Sequence, residues 1–259
     1  MIPKIIHYIW LGGNPIPPSI QECIDSWKRH MPEYQYILWD ESSIQNFESI
    51  FIKEAIQEKK WAFASDVIRL YALYEYGGIY LDTDVMVYQS FNPLLKDKAF
   101  IGRENSMHII GKSTINYLTT CCLGAEKGNS FISRCLHYYD NRHFITSEDK
   151  TLPQELRLDI RINSGIMCKL AEEIGYKPSV LANTLQFCED HTLTVYPSQY
   201  FDAVNLTKET YCKHLALGTW RENPRKTYKY TLRYKIEWRI CYVVEQILRK
   251  FNYTMIKLE

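Results

Sequence analysis

A helical stretch that stops at two glycines and turns at once into a strand constrains this chain more than any other feature. Apolar residues recur at helical spacing from Ser65 to Tyr76. Gly77-Gly78 supplies the left-handed stop, and Ile79 to Tyr88, rich in β-branched and aromatic residues, reads as the strand that follows. The chain opens in the same idiom. Ile5 to Leu11 reads as a short buried strand halted by Gly12-Gly13-Asn14-Pro15. From Ser19, a candidate cap, a helix runs to His30 with Ile20, Cys23, Ile24 and Trp27 on one face, and Tyr34 to Trp39 reads as a second strand. Strand, helix, strand predicts an α/β fold with parallel strands. Further helices are expected over Ser43–Lys60 and Gly128–Tyr139, and a strand over Ala99–Arg103.

Composition narrows the class. With 46% hydrophobic and 24% charged residues, the 259-residue chain has enough apolar material for a packed core. A net charge of +1 argues against a whole-molecule basic field, so no nucleic-acid partner is expected. There is no leader-like opening and no run of 18 apolar residues, and the eight cysteines show no CxxC spacing. These features predict reduced thiols and a cytoplasmic location. Residues 1–222 read as one domain. From Arg221 onward ten basic residues face four acidic ones, net +6, and Ile236, Ile240, Val243, Val244, Ile247, Leu248 and Phe251 recur at helical spacing. Residues 223–259 therefore read as a basic amphipathic helical segment. Two roles stand open for it: peripheral contact with the inner face of the plasma membrane, or packing on the core with a solvated charged face.

The chemistry concentrates at Asp82-Thr83-Asp84. Side chains alternate along a strand, so Asp82 and Asp84 are expected to point the same way. Two adjacent carboxylates repel unless a cation sits between them, and a hard divalent ion, Mg²⁺ or Mn²⁺, is the natural partner. On the preceding helix Asp66 and Arg69 stand three apart and share a face.

Taken together, Ser65-Asp66-x-x-Arg69 and Gly77-Gly78-Ile79-Tyr80-x-Asp82-x-Asp84 resemble the core of the family 32 glycosyltransferases, whose members include yeast initiating mannosyltransferases and bacterial capsule enzymes. The core is also similar to the catalytic domain of the clostridial glucosylating toxins. Ile2-Pro3-Lys4-Ile5-Ile6-His7-Tyr8-Ile9-Trp10 fits the family's opening. The resemblance implies a GT-A-like, Rossmann-like domain with a mixed central sheet, a divalent metal and a nucleotide-sugar donor. It implies that Asp84 ligates the metal, with Asp82 on the metal or on the ribose and diphosphate. Asp66 and Arg69 would hold the sugar hydroxyls, and Trp10 would stack on the nucleobase with Tyr80 flanking it. In His214-Leu215-x-x-Gly218-Thr219-Trp220, His214 would complete the metal site and Trp220 would contact the diphosphate; Thr219 keeps the hydroxyl of the usual Ser. The lesser alternatives are that Trp10 is a core aromatic and that His214 is structural. His7 is expected to be structural.

Two departures fall in the sugar-facing half: Asn129-Ser130 stands where His-Pro is usual, and Ser164-Gly165-Ile166 where many members have Thr-Gly-Pro. The implied reaction is a retaining, metal-dependent hexosyl transfer, with UDP-hexose favoured over GDP-mannose because of the Trp10 motif. The implied acceptor is a saccharide, lipid-linked on one reading, in bacterial capsule or surface polysaccharide synthesis. Two rivals are a phosphatase with its nucleophile in a DxDx(T/V) strand end, partly matched by Asp82-Thr83-Asp84-Val85, and a non-catalytic nucleotide-sugar-binding protein. The first lacks the second acidic pair such phosphatases need.

Overall fold

A computed structural model describes residues 1–218, apart from 46, 107, 111, 112, 180 and 181. The expected segment 223–259, with Thr219 and Trp220, lies outside the described residues. In chain order the elements are β1 (Ile5–Ile9), α1 (Pro18–His30), β2 (Gln35–Trp39), α2 (Ile50–Gln57), α3 (Trp61–Tyr76), β3 (Gly78–Leu81) and β4 (Val85–Val87). They continue with β5 (Ala99–Arg103), β6 (His108–Ile110), β7 (Ser113–Ile115), β8 (Leu118–Ala125), α4 (Ser130–His137), α5 (Gln154–Arg157), α6 (Asn163–Glu172), β9 (Gln186–Cys188), β10 (Leu193–Tyr196) and β11 (Cys212–His214).

The opening β1–α1–β2 unit is parallel, as expected, with Ile5 opposite Gln35 and Ile9 opposite Trp39. Among the described residues the main sheet has seven strands in the order β2-β1-β3-β8-β5-β10-β9. β1 pairs parallel with β2 and β3, and β5 with β10, while β8 runs antiparallel to both neighbours. The sheet is mixed, and the α/β expectation holds. Its core joins α2, α3, α4 and α6 to one face through residues such as Phe51, Val67, Ile68, Leu123, Phe131 and Met167.

The glycine stop stands where the sequence put it. Gly77 and Gly78 have φ of +66° and +111°, the region open to glycine without a Cβ penalty. A side chain on Gly78 would also meet the Ile5 carbonyl at 2.7 Å. Buried His7 ties this corner together: Trp39 Nε1 donates to its Nδ1, leaving its Nε2–H to donate to the Gly77 carbonyl at 2.8 Å. Burial lowers the His7 pKa, although the Gly77 bond works against that, so its role is structural as expected.

Three boundaries differ from the sequence reading. Helix α1 starts at Pro18, whose missing N–H costs nothing in the first turn, so Ser19 is not its cap. The stretch expected as one helix from Ser43 has a turn first and is helical only over α2. The strand expected to run from Ile79 to Tyr88 breaks after Leu81, with consequences for the site. The seven described cysteines are buried and free of disulfides, and no helix among the described residues is long and apolar enough to cross a membrane.

Candidate functional site

Asp82 leaves the sheet at the end of β3, its N–H still bonded to the Cys121 carbonyl of β8. A turn follows, closed by the Val85 N–H donating to the Asp82 carbonyl at 3.0 Å. The two acids therefore do not lie on one strand, and period-two alternation is not what brings them together. β4 instead turns away to pair antiparallel with β11, placing His214 opposite Val85. Helix α1 holds it there: Trp27 Nε1 donates to the Val85 carbonyl at 2.7 Å, and the Val87 N–H donates to Ser26 Oγ at 3.0 Å, both bonds buried.

The result is a compact group. His214 Nε2 lies 3.0 Å from Asp84 Oδ1 and 4.0 Å from Asp82 Oδ2. One ligand atom from each of Asp82, Asp84 and His214 falls within 4.8 Å of the others. Burial works against a charge on His214, but the hydrogen bond and charge of Asp84, with Asp82 and Asp202 behind it, win and push its pKa up to about 9. Two carboxylates and an imidazole form a mixed oxygen and nitrogen donor set suited to Mn²⁺ or Mg²⁺.

Behind this group Arg69 forms a bracket. Its guanidinium reaches Asp66 Oδ1 at 2.9 Å and Asp82 Oδ1 at 3.3 Å, and it also donates to the Thr120 and Ser65 carbonyls and to Ser65 Oγ. With a side chain only 5% exposed and its donors engaged, Arg69 has no free edge for sugar hydroxyls. It holds the two acids instead, which corrects the expectation of direct sugar contact. Tyr80 also needs correction. It is buried, its hydroxyl donates to Asp82 Oδ1 at 2.6 Å, and the Arg69 guanidinium covers its ring 4.4 Å from the centroid. Neither face is open to flank a base; the residue fixes Asp82.

Asp66 stays partly accessible. Burial raises its carboxyl to about 6, reinforced by the charge of Asp82 and opposed by Arg69 and by the Asn163 amide. Asn163, the first residue of α6, carries no signal in the sequence spacing. It is buried, accepts from Tyr139 Oη at 3.3 Å, and its Nδ2 makes no well-formed hydrogen bond. The adjacent Ser164-Gly165-Ile166, where Thr-Gly-Pro is usual, forms the first turn of α6. The other departure has a structural explanation: Asn129 caps α4, accepting from the Phe131 and Ile132 N–H groups at 3.0 and 3.2 Å.

Trp10 stands just past β1, at the same end of the sheet as Asp82, because β1 and β3 run parallel with His7 opposite Tyr80. It is half-buried, and its indole N–H donates to the Asn14 carbonyl at 2.6 Å. It is not a fully buried core aromatic.

Residues 17–101 match the family model described as the glycosyltransferase sugar-binding region containing a DXD motif. Among named relatives, the chain is 32% identical over 139 residues to inositol phosphoceramide mannosyltransferase 3 of Schizosaccharomyces pombe, covering 51% of this chain and 35% of that one. It is 40% identical over 117 residues to mannosyl phosphorylinositol ceramide synthase CSH1 of Saccharomyces cerevisiae, covering 39% and 28%. The match thus spans about a third of the length of these relatives. Similar solved structures include the PaToxG glycosyltransferase, with 21% identity, TM-score 0.45 and coverage of 66% and 69%. Another is the galactosyltransferase LgtC, with 10% identity, TM-score 0.39 and coverage of 91% and 99%.

Proposed function

We propose that the protein transfers a hexose from a nucleotide sugar to a hydroxyl of an acceptor, retaining the anomeric configuration. The Asp82–Asp84–His214 cluster carries this reading, because two carboxylates and an imidazole with ligand atoms within 4.8 Å of one another form a donor set for a divalent ion. Asp82, Asp84 and His214 would hold Mn²⁺ or Mg²⁺, which when bound supplies positive charge for the donor's diphosphate. Tyr80 and Arg69 fix the Asp82 carboxylate, so the site needs little reorganisation as charge develops on the leaving group. Asp66, held by Arg69, accepts from a hydroxyl of the sugar, and the neighbouring Asn163 amide donates to another. Trp10 offers its ring to the base. The acceptor attacks from the face the nucleotide leaves, and the departing phosphate oxygen takes the acceptor's proton.

For the donor, the Trp10 motif favours UDP-hexose, whereas the names of the yeast relatives favour GDP-mannose. Thermal-shift measurements with UDP-glucose, UDP-galactose and GDP-mannose, with and without Mn²⁺, separate the two. Substituting Asp82→Ala or Asp84→Ala should lower transfer at least about 100-fold in a protein that still folds; near-normal turnover in either variant would reject the assignment. The acceptor we favour is a lipid-linked saccharide of a cell surface. The ceramide in the relatives' names supports a lipid-bearing acceptor, and the basic segment 223–259 would bring the enzyme to a cytoplasmic membrane face.

A further inference from the structure

One group of side chains near the metal cluster is distinct from those assigned to the donor above. Strands β5 and β8 run past the rung where Asp82 bonds to Cys121, as far as Arg103 opposite Leu118, and beyond that last rung the Glu104 N–H donates to the Tyr117 carbonyl at 2.8 Å. Glu104 Oε2 lies 3.1 Å from His108 Nε2. The His108 ring stacks on Tyr117 with centroids 4.0 Å apart and planes 18° from parallel. The next backbone N–H, that of Asn105, donates to Asp202 Oδ2 at 2.7 Å.

Two neighbours tie this group to the site. Asp202 bridges to Lys213, the residue before His214, and its carboxylate acts electrostatically on the His214 imidazole. Asp202 thus links the two groups, its carboxylate held by the residue after Glu104 and its backbone bridged to the residue before His214. On the other flank the Tyr117 ring reaches the first turn of α6, where a side chain on Gly165 would meet it at 3.4 Å. Asn163 is two residues away. The group therefore lies between the donor-sugar residues and the metal residues, and all four side chains are partly exposed.

We propose that Glu104, His108, Tyr117 and Asp202 form the acceptor subsite, which takes an uncharged polyhydroxylated ring. This assignment rests on the glycosyltransferase reading and adds the acceptor's chemistry to it. Carboxylates only accept hydrogen bonds, and two of them suit the O–H groups of adjacent ring hydroxyls. The stacked His108–Tyr117 pair presents a flat, largely apolar face with polar edges, matching the C–H face of a saturated ring. Two acids side by side repel an anionic ring, so the ring itself is neutral even where a charged group is attached elsewhere on the acceptor.

The test is transfer from the donor found by thermal shift to methyl α-mannopyranoside, methyl β-glucopyranoside, methyl β-galactopyranoside and myo-inositol, with donor hydrolysis measured alongside. The wild-type protein should glycosylate at least one of these. For that probe Glu104→Gln and Tyr117→Leu should each raise the acceptor KM tenfold or more while the donor KM moves far less. An acceptor KM unchanged in both variants, or donor and acceptor KM rising together, overturns the subsite. A wild-type protein that hydrolyses donor but transfers to none of the four probes overturns the neutral-ring assignment and leaves the glycosyltransferase reading intact. One that neither hydrolyses nor transfers overturns that reading itself.

Discussion

His214 Nε2 sits 3.0 Å from Asp84 Oδ1, although 130 residues separate them in the chain. This pairing makes the imidazole a proton carrier with a pKa near 9 until a cation displaces the proton.

Metal binding should therefore strengthen as pH rises. Below about 9 each bound ion must expel the His214 proton, so Mn²⁺ affinity should climb about tenfold per pH unit from pH 7 and level off above the His214 value. Calorimetry in buffers of different ionisation enthalpy should find close to one proton released at pH 7. No release would mean that His214 stays out of the coordination sphere. The sign reverses for the metal-free fold. A raised histidine pKa stabilises it fully below the ordinary value of 6.5, and this contribution is lost as pH rises through about 9.

Arg69→Met should be severe. It leaves Asp66 and Asp82 without their shared cation in a largely buried setting, and breaking such a pair costs about 3–5 kcal/mol. Urea unfolding measures the loss; a variant within about 1 kcal/mol of the parent would show that the bracket is not structural.

Tyr80→Phe separates positioning from packing. The ring stays under Arg69, while the 2.6 Å bond to Asp82 disappears. Removing an outer hydrogen bond of this kind from a metal ligand typically weakens affinity about 10–100-fold. Mn²⁺ titration should show that loss with the melting temperature nearly unchanged; equal affinity would deny Tyr80 the role.

Deleting residues 227–259 should move the protein from membrane to soluble fractions on cell fractionation if that basic segment is the membrane contact. Unchanged partitioning would favour the alternative, a helix packed on the core.

What the sequence revealed and what it hid divide along physical lines. The helix over Ser65–Tyr76 and the stop at Gly77-Gly78 were legible because periodicity and a left-handed glycine are local signals. Asp82 and Asp84 were recognised as a pair for a reason that does not hold, since they share a turn rather than a strand. The break after Leu81 comes from β4 docking against α1 and β11, a tertiary preference that no local pattern records. Arg69 and Tyr80 were found by motif, but motif spacing says nothing of burial, so their contact with Asp82 in place of the ligand was invisible. Asn163 and Asp202 needed the folded chain to bring them to the site, because neither stands at any regular distance from Asp66 or His214.

The pairing of Val85 with His214 also sets a timetable. During synthesis the acidic turn and its supporting helix emerge with the first half of the domain, yet the imidazole arrives only after more than a hundred further residues have left the ribosome. A nascent chain halted before β11 could build most of the described sheet and still lack one of the three groups of the cluster, so ion capture would await β11 and would latch that strand in place.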